Sequence, residues 1–350
     1  MTRIRALLLL LVASALFVGQ GILAVQPLEA QANPQGASTR TLAAAAASPS
    51  WPAPPAAARI RFIRTLDPAA VRGRPSLFSR FLRVIAGDTV EPQMSQPYGI
   101  AVGPDRKLYV ADTVGGTIHV YDLERGGYST IKVDGRSLIG IAFAGKRIFV
   151  TDSASGRVLC VDAKGRTEWA LGPSDGFVRP TGIAASSDRV YVVDTLKHHV
   201  VVLTTTGTVL GTLGSRGSRP GDFNFPTNIA RGADGSLYVT DTMNFRVQIF
   251  DANNGYVGAF GRLGDGVGDF DKPKGVAVDS NGHVYVVEGL NDVVQVFEAD
   301  GKLLLAFGGS GFGEGQLWLP TGIAIVNDVV YVADSANRRV QMFEYLKDGR

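Results

Sequence analysis

The sequence contains four histidines, the residues best suited to metal binding or to proton transfer near neutral pH. His198 and His199 are adjacent, so on a strand their side chains would point to opposite faces and only one could serve a given site. His119 and His283 lie far from this pair along the chain. The spacing matches no zinc motif, which leaves His199 as a weak candidate metal ligand.

A glycine-rich stretch supplies the other weak metal candidates, Asp265, Asp269 and Asp271. Carboxylates bind hard divalent cations, but this stretch lacks the alternating oxygen ligands of an EF-hand loop. The sequence also lacks the Gly-x-Ser-x-Gly elbow that would present a nucleophilic serine. We therefore expect no cofactor, with a divalent cation at these candidates as the open alternative.

The elements that must position these residues are revealed by a repeat. The motif Pro-x-Gly-Ile-Ala, or a close variant, occurs six times, and its glycine or asparagine lies at positions 99, 140, 182, 228, 275 and 322. Successive copies are 41 to 47 residues apart, which is the length of one four-stranded propeller blade. Each copy is followed by an aromatic-Val-x-acid segment that is typical of a buried strand ending in a carboxylate.

Composition agrees with this interpretation, since 43 glycines and 45% hydrophobic residues suit many short strands joined by tight turns. The sequence predicts an all-β, six-bladed β-propeller of four-stranded antiparallel blades. The sixth copy ends without a fourth strand. Residues 81–87 resemble the fourth strand of the fifth copy, so we expect this N-terminal strand to complete the last blade and close the ring.

Residues 334–343, Asp-Ser-Ala-Asn-Arg-Arg-Val-Gln-Met-Phe, together with the Pro-x-Gly-Ile-Ala and Tyr-Val-x-Asp segments, resemble NHL repeats. The resemblance spans roughly residues 81 to 346 and implies a six-bladed propeller. It also implies that the acid and arginine of each repeat are architectural, because the acid can accept turn N–H bonds or pair with the arginine. The residues in this group are Asp112, Asp152, Asp194, Asp241, Glu288, Asp334, Arg246 and Arg339.

In a propeller, the loops entering the first strands and the loops joining second to third strands gather on one face around the axis. We predict that this face binds a ligand. Its residues would be Tyr98, Thr181, Lys197, His198, Asn228, Phe245, Lys274, Asn291, Thr321 and Arg338. Their mixture of polar, aromatic and basic side chains suits a protein, peptide or glycan partner.

The first 32 residues predict export. Arg3 and Arg5 precede an apolar run, and Ala30-Gln31-Ala32 is typical of a signal peptidase site. A retained membrane anchor of residues 6–25 stays open as the alternative. An Ala/Pro-rich linker is expected over 33–58, a basic pre-propeller segment over 59–80, and the propeller over 81–350.

Exported proteins of this kind act in the periplasm, in the cell envelope or outside the cell. We expect a binding or scaffolding module there, with membrane contact only through the N-terminal segment. A formal net charge of +3 and the export signal argue against a nucleic-acid partner. The alternative is a metal-dependent lyase or hydrolase with its site at the central channel. Animal peptide-amidating lyases are similar propellers that use zinc and histidine, but none of the six Pro-x-Gly positions here carries a histidine.

Overall fold

The computed structural model describes residues 48–66, residue 68 and residues 93–347. Within them the chain forms six antiparallel sheets, and the first strand of each sheet contacts the first strand of the next around a closed ring. The predicted all-β, six-bladed propeller of four-stranded antiparallel blades is confirmed. Short 3-10 helices at Pro173–Asp175, Thr195–Lys197 and Thr242–Asn244 lie in the loops.

Blades 1 to 5 each run from an inner strand to an outer strand in chain order. Blade 1 contains β3 (Pro97–Val102), β4 (Lys107–Asp112), β5 (Thr117–Asp122) and β6 (Gly127–Lys132), and blade 2 contains β7 (Leu138–Ala144), β8 (Arg147–Asp152), β9 (Arg157–Val161) and β10 (Thr167–Leu171). Blade 3 contains β11 (Pro180–Ala185), β12 (Arg189–Asp194), β13 (His199–Thr204) and β14 (Val209–Leu213), and blade 4 contains β15 (Pro226–Arg231), β16 (Leu237–Asp241), β17 (Arg246–Phe250) and β18 (Tyr256–Phe260). Blade 5 contains β19 (Pro273–Val278), β20 (Val284–Glu288), β21 (Val293–Phe297) and β22 (Leu303–Gly308).

Blade 6 is built from both ends of the described chain. Its strands, from the axis outward, are β23 (Pro320–Val326), β24 (Val329–Asp334), β25 (Arg339–Tyr345), β2 (Ile60–Leu66) and the two-residue β1 (Ser50–Trp51). Closure by an N-terminal strand therefore occurs as predicted, but the strand that pairs with β25 is Ile60–Leu66 and not 81–87. Residues 81–87 themselves lie outside the described residues.

The choice of β2 has a physical basis. Ile60, Phe62 and Leu66 are buried, whereas Arg61 and Ile63 are exposed, so the strand places one apolar side in the core of the ring. Comparing 81–87 with the fourth strand of blade 5 detected a similar composition, but it could not detect this long-range pairing. Part of the predicted basic pre-propeller segment is thus a blade strand.

The predicted Ala/Pro-rich linker also contains an ordered contact. The ring of Trp51 lies 5.9 Å from that of Phe307 and 5.8 Å from that of Phe343, and Phe62 N donates to Pro49 O. An aromatic residue in a segment otherwise poor in large side chains allows the end of this segment to pack on blade 6. The predicted signal segment 1–32 lies outside the described residues, and no described helix is long and apolar enough to span a membrane.

Buried aliphatic side chains fill the space between neighbouring blades. Between blades 3 and 4, for example, Val193 and Val200 pack with Phe223 and Val239. Second strands such as β12 are buried at nearly every position because a neighbouring blade covers each of their faces. The core therefore runs around the ring, and each inner strand packs against the inner strands of the neighbouring blades.

Candidate functional site

A buried carboxylate network fixes the loops that enter the first strands. In blade 4, Asp241 ends β16, is fully buried, and accepts hydrogen bonds from Asn224 N at 2.6 Å, Arg246 Nε at 2.8 Å and Gln248 Nε2 at 3.0 Å. In blade 6, Asp334 accepts corresponding bonds from Trp318 N at 2.7 Å, from Arg339 Nε at 2.6 Å and from Gln341 Nε2 at 2.9 Å. One acid thus ties a loop to the second and third strands of its blade.

The other blades keep the acid and vary its partners. Asp152 accepts from Arg136 N and Ser137 N, and Asp194 accepts from Val178 N and Arg179 N. In blade 1, His119 Nε2 lies 3.2 Å from Asp112 Oδ2. Burial opposes ionisation of Asp112, but the hydrogen bonds from His119, Val114 N and Ser95 N outweigh it and lower the pKa of this carboxyl.

Threonine hydroxyls connect blades at the mouth of the channel. Thr181 Oγ1 lies 2.8 Å from Thr195 Oγ1, which donates to Pro226 O of blade 4 at 2.7 Å. Thr242 Oγ1 donates in the same way to blade 5, and Thr321 Oγ1 donates to Pro97 O of blade 1 at 3.2 Å. These hydroxyls bond to neighbouring backbone, so the rim of the channel is held by the protein itself.

The upper face, defined as the loops entering first strands and the loops joining second to third strands, contains a cavity of about 440 Å³. Its lining combines apolar and hydroxyl side chains with two cations: Tyr98, Ile139, Ser153, Arg179, Thr181, Thr195, Phe225, Thr227, Thr242, Met243 and Lys272. Inner-strand residues including Gly99, Gly182 and Asn228 line a much narrower space of about 60 Å³. The wider space on the upper face is the candidate functional site.

Tyr98 is the largest side chain contributed to this cavity by an inner strand. Burial raises the pKa of its phenol, and the nearby Arg179 partly offsets that effect. Its hydroxyl makes no hydrogen bond to any described residue. The cavity therefore contains an aromatic face, a hydroxyl donor and a guanidinium close to one another.

Blade 5 departs from the repeat at several positions of the upper face. Lys274 replaces the threonine, tyrosine or isoleucine of the other first strands, Gly289 replaces the serine or threonine after the acid, and Glu288 replaces aspartate. A Cβ atom added to Gly289 would lie 2.6 Å from Lys274 Cε and 3.0 Å from Nζ. The backbone at Gly289 is not left-handed, so its conformation does not require glycine. Glycine is required because the Lys274 side chain occupies the space that a Cβ atom would take.

Electrostatics at blade 5 are also distinct. Burial is the main cause that lowers the pKa of Lys274, followed by the charge of Lys272, with Glu288 and Asp292 opposing it. Burial raises the pKa of Glu288, although Asp271 N and Lys272 N donate to its carboxylate at 2.7 and 2.5 Å. Val293 stands where blades 4 and 6 have arginine, so no guanidinium pairs with this acid.

The ten residues predicted for the binding face differ in accessibility. Thr181, His198 and Thr321 are buried, and His198 Nδ1 accepts from Phe225 N at 3.1 Å. The half-buried residues are Tyr98, Asn228, Phe245, Lys274 and Asn291, and the exposed residues are Lys197 and Arg338. Tyr98 and Thr181 line the cavity, whereas Asn228 lies at the narrower channel.

The candidate metal ligands lie in separate parts of the fold, one in blade 3 and three in the loop between blades 4 and 5. His199 starts β13 in blade 3, and burial lowers the pKa of its imidazole. Asp265, Asp269 and Asp271 lie between blades 4 and 5, where Asp269 accepts from Arg262 Nε at 2.7 Å. Among the described residues, no group of three or more His, Cys, Asp or Glu side chains is placed to hold a metal ion.

Of the eleven residues that line the cavity, the sequence predicted only Tyr98 and Thr181 for the binding face. Three of the missed residues, Arg179, Phe225 and Lys272, share one feature. Each immediately precedes the proline that begins a first strand. The signal that could have identified them was this constant position before the proline, because a residue preceding proline is held in a restricted backbone conformation at the start of the inner strand. Met243, in the loop after Asp241, was missed as well.

Exposed apolar side chains are concentrated on the upper face. They are Val114, Val178, Leu196, Met243, Leu263, Val267, Leu290, Phe312, Trp318 and Leu319. Among the described residues, the other exposed large hydrophobic side chains lie in strands: Ile63, Val209, Leu210, Tyr256, Val257 and Leu304 in outer strands, and Val326 at the end of an inner strand. The loops of the upper face thus carry more exposed apolar side chains than the turns of the opposite face.

Comparisons with known proteins agree with this architecture. The family model for the NHL repeat matches residues 223–250, the segment that contains β15, β16 and β17. A search of curated proteins finds no matching sequence.

Among solved structures, the chain is similar to virginiamycin B lyase from Staphylococcus aureus, with a TM-score of 0.54 and 14% identity over 73% of this chain and 96% of that chain. It is also similar to an auxiliary nutrient binding protein from Bacteroides thetaiotaomicron, with a TM-score of 0.58 and 13% identity over 73% and 70% of the two chains. A chain of the nidogen/laminin complex matches with a TM-score of 0.53 and 20% identity over 68% and 86%.

At these identities the similar structures establish the fold alone. The described part of the chain is a six-bladed β-propeller, and residues 223–250 match the NHL repeat.

Proposed function

We propose that this propeller is an exported binding module that recognises a protein or peptide partner through its upper face. The observation that carries the proposal is the set of ten exposed apolar side chains in the loops of this face, which also contains the cavity and shares Met243 with it. Exposed apolar surface among polar groups is typical of interaction sites.

The loops on this face are suited to recognition because their bases are rigid. Buried carboxylates such as Asp241 and Asp334 hold the loops, so little conformational entropy is lost when a partner binds. Phe312 and Trp318, whose rings lie 5.0 Å apart, present aromatic surface that can act as an anchor. Peptide and protein recognition commonly relies on such a small set of anchors.

Similar structures are compatible with this role. One carries a partner protein, in the nidogen/laminin complex, and another is described as a nutrient binding protein. Export is part of the proposal, supported by the basic start, apolar run and small-residue site of residues 1–32. Cell fractionation that finds the full-length protein in the cytoplasm would remove this part.

Photo-crosslinking followed by affinity measurement tests the proposal. A photoreactive phenylalanine at Phe312 should capture a partner in the producing cells, whereas the same group at Leu210, exposed on the outer strand β14, should not. The partner is then purified, and its affinity is measured for a Met243→Ser, Phe312→Ser, Trp318→Ser variant. Loss of apolar anchors should weaken binding by at least about tenfold.

The matched control is Leu210→Ser, Val257→Ser, Leu304→Ser, which removes the same number of exposed apolar side chains from outer strands. It should change the affinity less than about twofold, since surface positions away from an interface contribute little. Equal crosslinking at both positions, or equal affinity loss in both variants, would show that the upper face is not the binding surface.

A further inference from the structure

We infer that the cavity on the upper face binds a carboxylate next to an apolar group, as in the C-terminus of a peptide. Positive charge comes from Arg179 and Lys272, which line the cavity, and from Lys274, which lies two residues after Lys272 in the first strand of blade 5. This rests on the proposed function and names the chemistry of the ligand end that enters the channel mouth. The inference comes from a cluster of cations that the fold does not use.

The three cations lack partners within the protein. Lys274, Lys272 and Arg179 form no ion pair, and their side chains make no hydrogen bond, to any described residue. By contrast, Arg246 and Arg339 pair with Asp241 and Asp334. Arg179 and Lys272 line the cavity, and Lys274 is close enough to Lys272 to feel its charge. Basic groups at a cavity without internal counterions are suited to an external anion.

Lys274 has been accommodated at the expense of a neighbouring side chain. Its stem occupies the position that a serine or threonine Cβ would take at residue 289, and Gly289 removes the clash. Thr195 and Thr242, which occupy the same repeat position in blades 3 and 4, bond to the next blade. Blade 5 therefore lacks an interblade hydroxyl and has an ammonium group in its place.

The two acids near Lys274, Glu288 and Asp292, accept hydrogen bonds from other groups. The Glu288 carboxylate accepts from Asp271 N and Lys272 N, and Asp292 accepts from Ser310 Oγ and Leu319 N at 2.7 Å each. Neither forms a salt bridge with Lys274. A ligand carboxylate can therefore approach the ammonium without displacing an existing pair, and charge-assisted hydrogen bonds of this kind are strong.

The cavity also explains why an apolar group should accompany the charge. Tyr98, Ile139, Phe225 and Met243 provide apolar walls in a volume of about 440 Å³. Such a space accepts one aromatic or aliphatic side chain together with a short stretch of backbone. The free hydroxyl of Tyr98 can donate to the same carboxylate or to the adjoining carbonyl.

Titration calorimetry with three probes tests the inference on the full-length protein. The probes are the tripeptide Gly-Gly-Phe with a free carboxylate, the same tripeptide with a C-terminal amide, and phenylpropionate. The free acid should bind at least about tenfold more tightly than the amide, because only the acid forms charge-assisted bonds. If acid and amide bind equally, or neither binds, the inference is wrong. If phenylpropionate equals the tripeptide, the assignment to a peptide end is wrong.

Two variants locate the site. Lys274→Met should abolish the preference for the acid, and Gly289→Ser should do the same while keeping every positive charge, because it displaces the lysine stem. Lys302→Met, which removes an exposed lysine from the opposite face, is the control and should keep the preference. A Lys274→Met protein that binds like the control would overturn the inference. If a partner is still crosslinked at Phe312 but none of the tripeptides binds, the inferred carboxylate site is wrong and the proposed function is unaffected.

Discussion

The buried acid at the end of each second strand shows how single residues hold the loops of this propeller. Asp241 has four donors, because Asn244 Nδ2 also reaches it at 2.8 Å in addition to Asn224 N, Arg246 and Gln248. Removing such an acid leaves a largely buried guanidinium and a buried amide without their acceptor. The loss therefore exceeds the value of any one bond.

We expect Asp241→Ala to lower the free energy of unfolding by about 3–5 kcal/mol, the usual cost of breaking a buried pair from one side. Urea denaturation measures the change. Asp265→Ala is the matched control, because Asp265 is exposed and makes no hydrogen bond to a described residue. Its unfolding midpoint should match that of the parent. A similar midpoint for Asp241→Ala would mean that the network contributes little to stability.

The sequence repeat predicted the positions of the buried acids and their arginine partners. It did not predict which residues come together at the cavity. An acid and an arginine five residues apart, as in Asp241 and Arg246, recur at fixed positions and so can be recognised in the sequence. Lys274 lies in β19 and Gly289 directly follows β20, and only the short distance between a Cβ atom at residue 289 and the lysine side chain connects them. Arg179 and Lys272 were missed because they precede the motif rather than belong to it.

At the scale of elements, the inner three strands of every blade followed from local pattern, and the closing strand did not. Buried strands with a Tyr-Val-x-Asp segment can be recognised as continuous apolar runs, because neighbouring blades cover both of their faces. The outer strand of blade 6 is selected by pairing with a segment nearly the whole chain away, as in the contact between Arg61 and Glu344. Local composition carries no information about that pairing.

The closing strand should contribute substantially to stability. Phe62 is buried, pairs in register with Phe343, and packs against it with ring centroids 5.9 Å apart. We expect Phe62→Ala to cost about 3–5 kcal/mol, as for other buried phenylalanines. Guanidinium denaturation gives the value.

Ile63 offers a control on the same strand, because it is 38% exposed beside the irregularity in the pairing. Ile63→Ala should change stability by no more than about 0.5 kcal/mol. Equal losses at both positions would contradict the packing of β2 as the fourth strand of blade 6.

For the molecule as a whole, five inner-strand glycines set how tightly the blades meet at the axis. A Cβ atom at Gly99, Gly140, Gly182, Gly275 or Gly322 would overlap the backbone of the next blade. The repeat motif identified these positions, but a sequence pattern cannot distinguish a glycine needed for space from one needed for a turn. Asn228 takes the sixth position, where Thr240 Oγ1 lies 2.9 Å from its backbone nitrogen.

We expect Gly322→Ala to lower the free energy of unfolding by at least about 1–3 kcal/mol, because it forces blades 6 and 1 apart. Thermal and urea unfolding both report the change. Gly258→Ala is the matched control: it lies in a strand with an ordinary backbone conformation and has no atom within 4 Å of the added Cβ. That variant should be neutral or slightly more stable. If both alanines have the same effect, the close approach at the axis does not limit stability.

Blade 6 can form only when both β2, from the N-terminal part of the described chain, and β25, from its C-terminal part, are present. Until Arg339–Tyr345 has been synthesised, Ile60–Leu66 can pair only with the two-residue β1, and β24 also presents a bare edge. A prematurely ended polypeptide therefore keeps two open edges that proteases can cut and other chains can join. Addition of Arg339–Tyr345 covers both edges at once, so resistance to digestion should appear abruptly when this strand is present.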